Sequence, residues 1–275
     1  MLNFLSKIIL IKYLILLNIF LFNTVSAKNL SLKGDFTQGG LIRGKAAPGT
    51  KIFLDEVEIK VSKEGWFVFG FGRDYKKRAS VDLVLLNGSI INQKFNIKSR
   101  DWKVQKINGL PDKMVSPSKD YVKRIKREAA EVFSARNIFI DRLWFLDSFS
   151  MPVDGKITGV YGTKRILNGQ NRQPHYGIDI AAPKGTEVIA PANGFVRLVA
   201  RDYYFSGGTL ILDHGYGLSS TFMHLEHINV KEGEIIKKGS VIGLVGNTGR
   251  STGPHLDWRM NWFNMRIDPL LIVNQ

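Results

Sequence analysis

At His175-Tyr176-Gly177-Ile178-Asp179 the chain places a histidine four residues before an aspartate, and at His255-Leu256-Asp257 it places a second pair two residues apart. All five histidines lie between these two motifs, in under a third of the sequence. Histidine is the commonest metal ligand in proteins, and aspartate supplies an oxygen atom that zinc accepts. The distribution therefore predicts a metal-centred active site in the C-terminal part of the chain.

The second motif indicates how a strand would present these side chains. Residues two apart in a strand point to the same face of a sheet. His255 and Asp257 are therefore expected to share one face, while Leu256 and Trp258 point to the other face and into the core.

Two further segments add to the candidate site. His175 and Asp179 share a face if their segment is extended, because they are an even number of residues apart. His224, in Phe222-Met223-His224-Leu225, is expected at a strand end. A catalytic zinc site needs three protein ligands and an open position for water, together with groups that handle protons. Three separate segments offer side chains for these tasks.

The sequence divides into four parts by composition. Residues 1–27 read as a signal peptide, with Lys7 and Lys12 before or within an apolar run and small residues at Val25-Ser26-Ala27. The run is short for a membrane span, although an uncleaved N-terminal membrane anchor remains the alternative. We therefore expect an exported protein of the periplasm or cell envelope of a bacterium.

The remaining three parts are expected to be mainly β. Residues 28–98 carry short apolar stretches between turn signals, which predicts a small β-sandwich. Residues 99–150 are expected to be a connector whose Lys- and Arg-rich helix begins near Ser118 and runs to about Ser134. Residues 151–275 are rich in glycine turns and short strands, which predicts an antiparallel β domain with an open groove.

Composition restricts the classes of partner and of chemistry. The chain has no cysteine, which excludes disulfides, thiolate ligands and a lipid anchor on cysteine. Its net charge of +15 favours anionic partners such as cell-wall polymer. No nucleic-acid-binding motif is present, and export argues against a nucleic acid.

Several motifs in the C-terminal part match one family in order. They are His175 to Asp179 followed by Ile180-Ala181-Ala182-Pro183, then His214-Gly215-Tyr216-Gly217, Met223-His224-Leu225, Gly246-Asn247-Thr248-Gly249 and Thr252-Gly253-Pro254-His255-Leu256-Asp257. Together they resemble the lysostaphin-type (LytM domain) murein metallopeptidases over about residues 152–269. That family cleaves peptide bonds in peptidoglycan, so peptidoglycan peptides are the substrate that the resemblance implies.

The resemblance also implies a role for each matched residue. His175 and Asp179 occupy the positions of two zinc ligands, and Asp257 occupies that of the third. His224 and His255 occupy the positions that serve the catalytic water and the oxyanion. One bound Zn²⁺ per chain is thus expected.

The sequence departs from the family at Asp257, where the third ligand is ordinarily histidine. Aspartate can bind zinc through oxygen, but a second anionic ligand makes the metal less electrophilic. The alternative is that Asp257 pairs with Arg259, two residues on and on the same strand face, and that metal binding is weak or lost. Both readings stay open at this stage.

Other residues near the motifs are expected to have roles outside the metal site. His214 is expected to be structural through hydrogen bonds, and His227 to be a surface histidine. Arg165 lies in a segment that the resemblance brings near the cleft, where it could equally serve turn geometry.

The expected function is zinc-dependent hydrolysis of peptidoglycan peptide bonds during cell-wall remodelling. A second reading, from a different class, is a catalytically weak LytM-type regulator that activates another wall hydrolase, with wall-hydrolase or division proteins as partners. A lipoyl-type carrier is a third reading, based on turns such as Pro191-Ala192-Asn193-Gly194. It is disfavoured because no lysine stands in the hairpin setting that such a carrier modifies.

Overall fold

The computed structural model describes residues 30–109 and 115–275, and this part of the chain is mostly β-sheet. The expected signal peptide at residues 1–27 lies outside the described residues. The strands are β1 (Leu30–Gly34), β2 (Leu41–Ala46), β3 (Lys51–Leu54), β4 (Val57–Ile59), β5 (Trp66–Gly70), β6 (Arg78–Val84), β7 (Ile90–Asn96), β8 (Val104–Ile107), β9 (Lys156–Gly159), β10 (Lys164–Leu167), β11 (Gln170–Arg172), β12 (Ile178–Ala181), β13 (Glu187–Ile189), β14 (Gly194–Tyr203), β15 (Gly207–Asp213), β16 (Leu218–Ile228), β17 (Ile235–Ile236), β18 (Val241–Val245), β19 (His255–Trp262) and β20 (Met265–Ile267). Helices are α1 (Lys119–Arg136), α2 (Pro269–Val273) and a 3-10 helix at Leu143–Leu146.

The N-terminal strands form two packed sheets. One has the order β1-β2-β5 and the other β4-β3-β6-β7, with antiparallel pairing throughout. Alternate side chains of these strands, such as Ile52, Phe67, Phe69 and Leu83, are fully buried between the sheets. This alternation is what a half-buried strand requires, and it produces the sandwich expected from the turn spacing.

The sandwich also packs on the C-terminal part. Leu41 and Val68 point away from the sandwich interior and belong to the core of the C-terminal sheet. Arg43 donates to the carbonyl oxygen of Phe145 at 2.6 Å and to the Gln275 side chain at 2.7 Å. The two parts therefore share an apolar and hydrogen-bonded interface.

The large C-terminal sheet holds the order β17-β14-β15-β16-β19-β12-β9, and β18 continues it beside β16. In β19, Leu256, Trp258 and Met260 are fully buried in the main core, as the alternation predicts. His255, Asp257 and the residues in register with them lie on the opposite face. That face carries the candidate site.

His224 lies inside β16, so its expected position at a strand end was wrong. Residues 218–223 of β16 pair with β19, whereas residues 225–228 pair with β18. His224 stands between the two pairings with a φ of +64°, a left-handed conformation that is uncommon for a residue other than glycine. The change of partner strand at this residue turns the histidine toward the cleft.

The connector contains more structure than the helix expected there. Helix α1 packs Val132 and Ala135 against Leu198 and Ile211 of the large sheet. Strand β8 pairs with β10 in parallel, whereas the other pairs between the strands named above are antiparallel. The connector is therefore fastened to the C-terminal part at both places.

The expected fold class is confirmed: a β-sandwich, a helical connector and a C-terminal β domain. The division at residues 98 and 150 stays a prediction. No helix within residues 30–109 and 115–275 has the length and apolar composition of a membrane span.

Candidate metal centre

Three side chains from two neighbouring strands converge at one point. Strands β12 and β19 are antiparallel, and Asp179 stands directly opposite Asp257 in their register. His175, just before β12, lies with its Nε2 atom 3.0 Å from Oδ1 of Asp179 and 3.3 Å from Oδ2 of Asp257. One ligand atom from each residue lies within 4.8 Å of the other two.

The donor atoms of this cluster fit a zinc ion. Ligands at ~2.0–2.2 Å around a tetrahedral ion are roughly 3.3–3.6 Å apart, and the distances of 3.0 and 3.3 Å from His175 Nε2 to the two carboxylates are close to that range. Oδ1 of Asp179 is buried and, apart from the Nε2 atom of His175 at 3.0 Å, has no donor within hydrogen-bonding distance among the described residues. An unsatisfied buried carboxylate oxygen is costly, and a cation between these atoms would satisfy it.

The electrostatic setting favours an ionised Asp257. Burial by itself would raise the pKa of Asp257, but the charges of Arg259 and His175 outweigh it and hold that pKa well below its usual range. Burial likewise opposes protonation of His175, but Asp257 and Asp179 outweigh it and raise its pKa. Asp257 is therefore ionised, and the two aspartates draw positive charge to the point where they meet His175.

Arg259 holds Asp257 through both carboxylate oxygens. Its Nε donates to Oδ1 at 2.9 Å and its terminal nitrogen donates to Oδ2 at 2.6 Å. The pairing weighed from the sequence is thus present, and Oδ2 of Asp257 still faces His175. Pairing with arginine and a place in the ligand cluster are compatible in this geometry, because a carboxylate oxygen has two lone pairs.

A second arginine supports the other carboxylate. Arg165 donates to Oδ2 of Asp179 at 3.3 Å, which leaves Oδ1 directed at His175. The sequence predicted that Arg165 lies near the cleft, but not that it contacts Asp179. That contact forms only when the segments that carry the two residues come together in the folded chain. The two guanidinium groups offset the charge of the two aspartates.

His224 and His255 flank the cluster as a pair. Their ring centres are 4.7 Å apart, and Nε2 of His255 is 3.8 Å from Oδ1 of Asp179. Both line the same cleft as Asp179 and Asp257. The structure thus brings all five expected site residues together.

Backbone carbonyl groups fix the tautomer of both imidazoles. Nδ1 of His224 lies 2.8 Å from the oxygen of Thr248, and Nδ1 of His255 lies 2.8 Å from that of Gly253. A carbonyl oxygen only accepts, so each Nδ1 carries the proton and each neutral ring keeps its lone pair on Nε2. Burial lowers the pKa of His224, which favours the neutral ring.

Two glycines leave room for the carboxylates. A Cβ atom on Gly159 would lie 2.2 Å from Oδ2 of Asp179. One on Gly177 would lie 2.9 Å from Oδ1 of Asp257 and 2.5 Å from the backbone oxygen of Trp258. Neither contact is tolerable, so any larger residue at these positions would displace a carboxylate or the strand beneath it.

The two remaining histidines lie outside the cluster. His214 is fully buried and bonds with the carbonyl oxygen of Asn193 at 2.7 Å and with the hydroxyl of Ser220 at 2.8 Å. His227 is exposed. Both observations agree with the expectation that His214 is structural and that His227 lies on the surface.

Comparison with known proteins places this geometry in a family. The family model described as peptidase family M23 matches residues 173–269. A crystal structure of a Pseudomonas aeruginosa protein described as a peptidase M23 is 30% identical, covers 86% of this chain and 94% of that chain, and superposes with a TM-score of 0.66. The chain belongs to peptidase family M23.

Curated relatives of this M23 chain match over its C-terminal part. An uncharacterised metalloprotease of Haemophilus influenzae is 42% identical over 100 residues, which are 36% of this chain and 21% of that protein. The peptidoglycan DD-endopeptidase ShyA of Vibrio cholerae is 38% identical over 112 residues, which are 40% of this chain and 26% of that protein. The M23 chain thus spans about a fifth to a quarter of the length of these two relatives.

Proposed function

We propose that the protein is a zinc-dependent endopeptidase that hydrolyses peptide bonds of peptidoglycan during cell-wall remodelling. The observation that carries the proposal is the convergence of His175, Asp179 and Asp257, with the Nε2 lone pairs of His224 and His255 beside them. Membership of a peptidase family supports the reaction class. The similarity to ShyA, a peptidoglycan DD-endopeptidase, supports peptidoglycan as the substrate.

The same reasoning gives a location. The peptidoglycan relatives and the expected signal peptide support export to the periplasm or envelope of a bacterium. The uncleaved anchor and the wall-hydrolase or division partners stay predictions, and no observation favours a nucleic acid.

In the proposed mechanism His175, Asp179 and Asp257 hold one zinc ion. When bound there, zinc polarises the scissile carbonyl group and makes a water molecule more acidic. Arg259 keeps Asp257 ionised, and the hydrogen bonds of Arg259 and Arg165 fix the direction of the Asp257 and Asp179 carboxylates.

His224 and His255 serve the attacking water and the oxyanion. The Nε2 atom of His224 or of His255 accepts the proton of the attacking water, since both Nδ1 atoms are committed to carbonyl groups. The other ring hydrogen-bonds the developing oxyanion as an imidazolium, with protons on both Nδ1 and Nε2. The accepted proton then passes to the amine that leaves.

One observation favours the regulator as a second candidate. Arg259 takes both oxygens of Asp257, and a carboxylate so engaged is a weaker metal ligand. In that case the cluster would bind zinc poorly and the protein would act by binding another hydrolase. Metal content separates the two functions.

The test is zinc content and hydrolysis measured on the same samples. The purified chain is expected to hold about one zinc per chain, as a catalytic site requires, and to release soluble fragments from purified peptidoglycan. His175→Ala and Asp179→Ala should each lose the metal and the activity, while His227→Ala, at an exposed histidine, should keep both. A protein that neither retains nor takes up zinc would refute the proposal and support the regulator.

A further inference from the structure

We propose that Gln105 contacts the peptide substrate and helps to determine which peptide the cleft accepts. The residue lies on β8, in the connector, and strands β8 and β10 form one wall of the cleft beside the metal centre. The inference rests on the proposed function for the identity of the substrate as a peptide. It adds a substrate contact outside residues 173–269, which the M23 family model matches.

The register of the small sheet places Gln105 in the cleft. Strands β8 and β10 are parallel, and Gln105 is paired with Arg165. Paired residues of neighbouring strands share a face of a sheet, and so do residues two apart on one strand. Gln105, Arg165 and Leu167 therefore point to one side, and all three line the cleft that contains Asp179.

This wall stands beside a candidate metal ligand. Arg165 donates to Oδ2 of Asp179 at 3.3 Å. Neighbouring strands are about 4.8 Å apart, so Gln105 is one strand beyond the arginine that touches the ligand. The Gln105 side chain is exposed. A peptide bound with its scissile bond at the metal centre therefore brings neighbouring peptide groups within reach of this carboxamide.

Contacts around Trp102 fix the position of β8. Two guanidinium carbons lie near the centre of the Trp102 ring, that of Arg73 in the sandwich at 4.9 Å and that of Arg100 at 4.7 Å. A Cβ atom on Gly162 would lie 2.0 Å from this ring, so the backbone just before β10 packs directly against it. The wall is therefore held in place before substrate binds, which lowers the ordering cost of a contact with Gln105.

A carboxamide is suited to a peptide backbone. It carries both a donor N–H and an acceptor oxygen, so it can pair with the C=O and the N–H of a peptide, whereas arginine only donates and a carboxylate only accepts. Leu167 adds an apolar surface to the same wall. Since the Arg165 charge is engaged by Asp179, the wall offers a neutral peptide segment a hydrogen-bonding group and an apolar surface.

The experiment measures kcat and KM of the full chain with a soluble cross-linked muropeptide. Gln105→Met keeps the length of the side chain but removes its polar atoms. This variant should raise KM about 3–10-fold, the effect of losing one or two hydrogen bonds, while kcat and zinc content stay within about twofold. A rise in KM alone is the signature of a lost contact that substrate and transition state make equally.

Lys106→Met is the matched control. Lys106 follows Gln105 on β8 and points to the opposite face of the sheet, so it tests the same substitution on the same strand without touching the cleft. It should leave KM unchanged. Gln105→Asn, whose shorter side chain keeps the carboxamide, should show a KM between those of the wild type and Gln105→Met. Thermal melting of each variant shows whether it is folded.

The outcomes separate this inference from the proposed function. Equal KM in wild type and Gln105→Met overturns the substrate contact, and so does an equal rise of KM in Lys106→Met. Loss of zinc in Gln105→Met also overturns it, because Gln105 would then act through Arg165 on the metal centre. If the wild type hydrolyses nothing, calorimetric binding of the same muropeptide replaces KM. Weaker binding to Gln105→Met then supports the contact while the proposed hydrolysis fails, and equal or absent binding overturns the contact as well.

Discussion

His175 and His214 are both buried histidines of the C-terminal part, yet their surroundings differ in one decisive respect. Both ring nitrogens of His214 are satisfied by the protein, by a carbonyl oxygen and by a hydroxyl. His175 instead directs Nε2 at two carboxylate oxygens, and its Nδ1 finds no partner among the described residues. The two histidines are equally buried, but only His214 has both ring nitrogens satisfied by hydrogen bonds within the protein.

The comparison indicates which property qualifies His175, and not His214, as a candidate metal ligand. A histidine whose two nitrogens are both satisfied has no lone pair to offer, whatever its burial. Burial lowers the pKa of His214 to about 4, because the charged ring would lose its hydration, and no carboxylate contact compensates for that. The carboxylates around His175 have the opposite effect on its pKa.

The largest effect is expected at His224 and His255, which are neither candidate metal ligands like His175 nor structural histidines like His214. His224→Ala and His255→Ala should retain zinc but lower the hydrolysis rate about 10²–10⁴-fold, because in the proposed mechanism these rings handle protons and do not bind the metal. Zinc content and turnover of peptidoglycan by each variant measure this.

His227→Ala is again the control, at an exposed histidine. Unchanged turnover in both variants would remove these two residues from the mechanism. Loss of zinc in either would instead place that histidine among the ligands.

A smaller effect is expected at Asp257, whose carboxylate also pairs with Arg259. If Asp257 is a ligand oriented by Arg259, Arg259→Gln should weaken zinc binding by about 10–100-fold, the usual range for residues that support a ligand. The same substitution should matter much less in Asp257→His, because a neutral imidazole needs no guanidinium partner. Zinc affinities of the two single variants and the double variant, by competition with a chelator, give this coupling.

Asp257→Ala decides whether the coupling concerns the metal at all. A ligand role requires this variant to bind zinc much more weakly than the wild type. Equal zinc affinity would reduce Asp257 to the ion-pair partner of Arg259, and the regulator would become the better interpretation.

The smallest effect on activity is expected at His214. Its folded-state pKa of about 4 lies below the ~6.5 of an unfolded chain, so the stability that neutral His214 provides is complete above pH 6.5 and is lost as the pH falls toward 4. The loss amounts to about 3 kcal/mol at most. His214→Asn should unfold more easily at neutral pH but show less of this acid sensitivity, with zinc affinity retained.

Urea unfolding at pH 7.5 and 4.5, with chelator present to remove metal effects, measures that difference. His227→Asn should follow the wild type. An equal loss of stability on acidification in wild type and His214→Asn would show that another group is responsible.

The sequence could predict those parts of the site that depend on local periodicity. Leu256 and Trp258 alternate with His255 and Asp257, so the division of β19 between core and cleft follows from spacing alone. The β-sandwich followed in the same way from short strands between turns. Ordered motifs then placed His175, Asp179 and His224 beside that strand through the family resemblance.

The remaining features depend on contacts between distant segments. The sequence does not show that β16 changes partner at His224, because the change depends on two distant strands, β19 and β18, each pairing with one part of β16. Nor does it show that Arg165 reaches Asp179, since β10 must first pair with β8, a strand some sixty residues away. These are pairings of tertiary structure, which local periodicity does not encode.

Gly159 and Gly177 bear on how inactive relatives should be recognised. Neither residue donates, accepts or binds anything through a side chain, yet each occupies the space directly beside a candidate ligand carboxylate. A homologue could keep every histidine and aspartate of the motif and still lose the centre through a serine at the position of Gly159. Surveys that score such chains as intact from their polar residues alone would overcount active enzymes, and the two glycines belong in the diagnostic pattern.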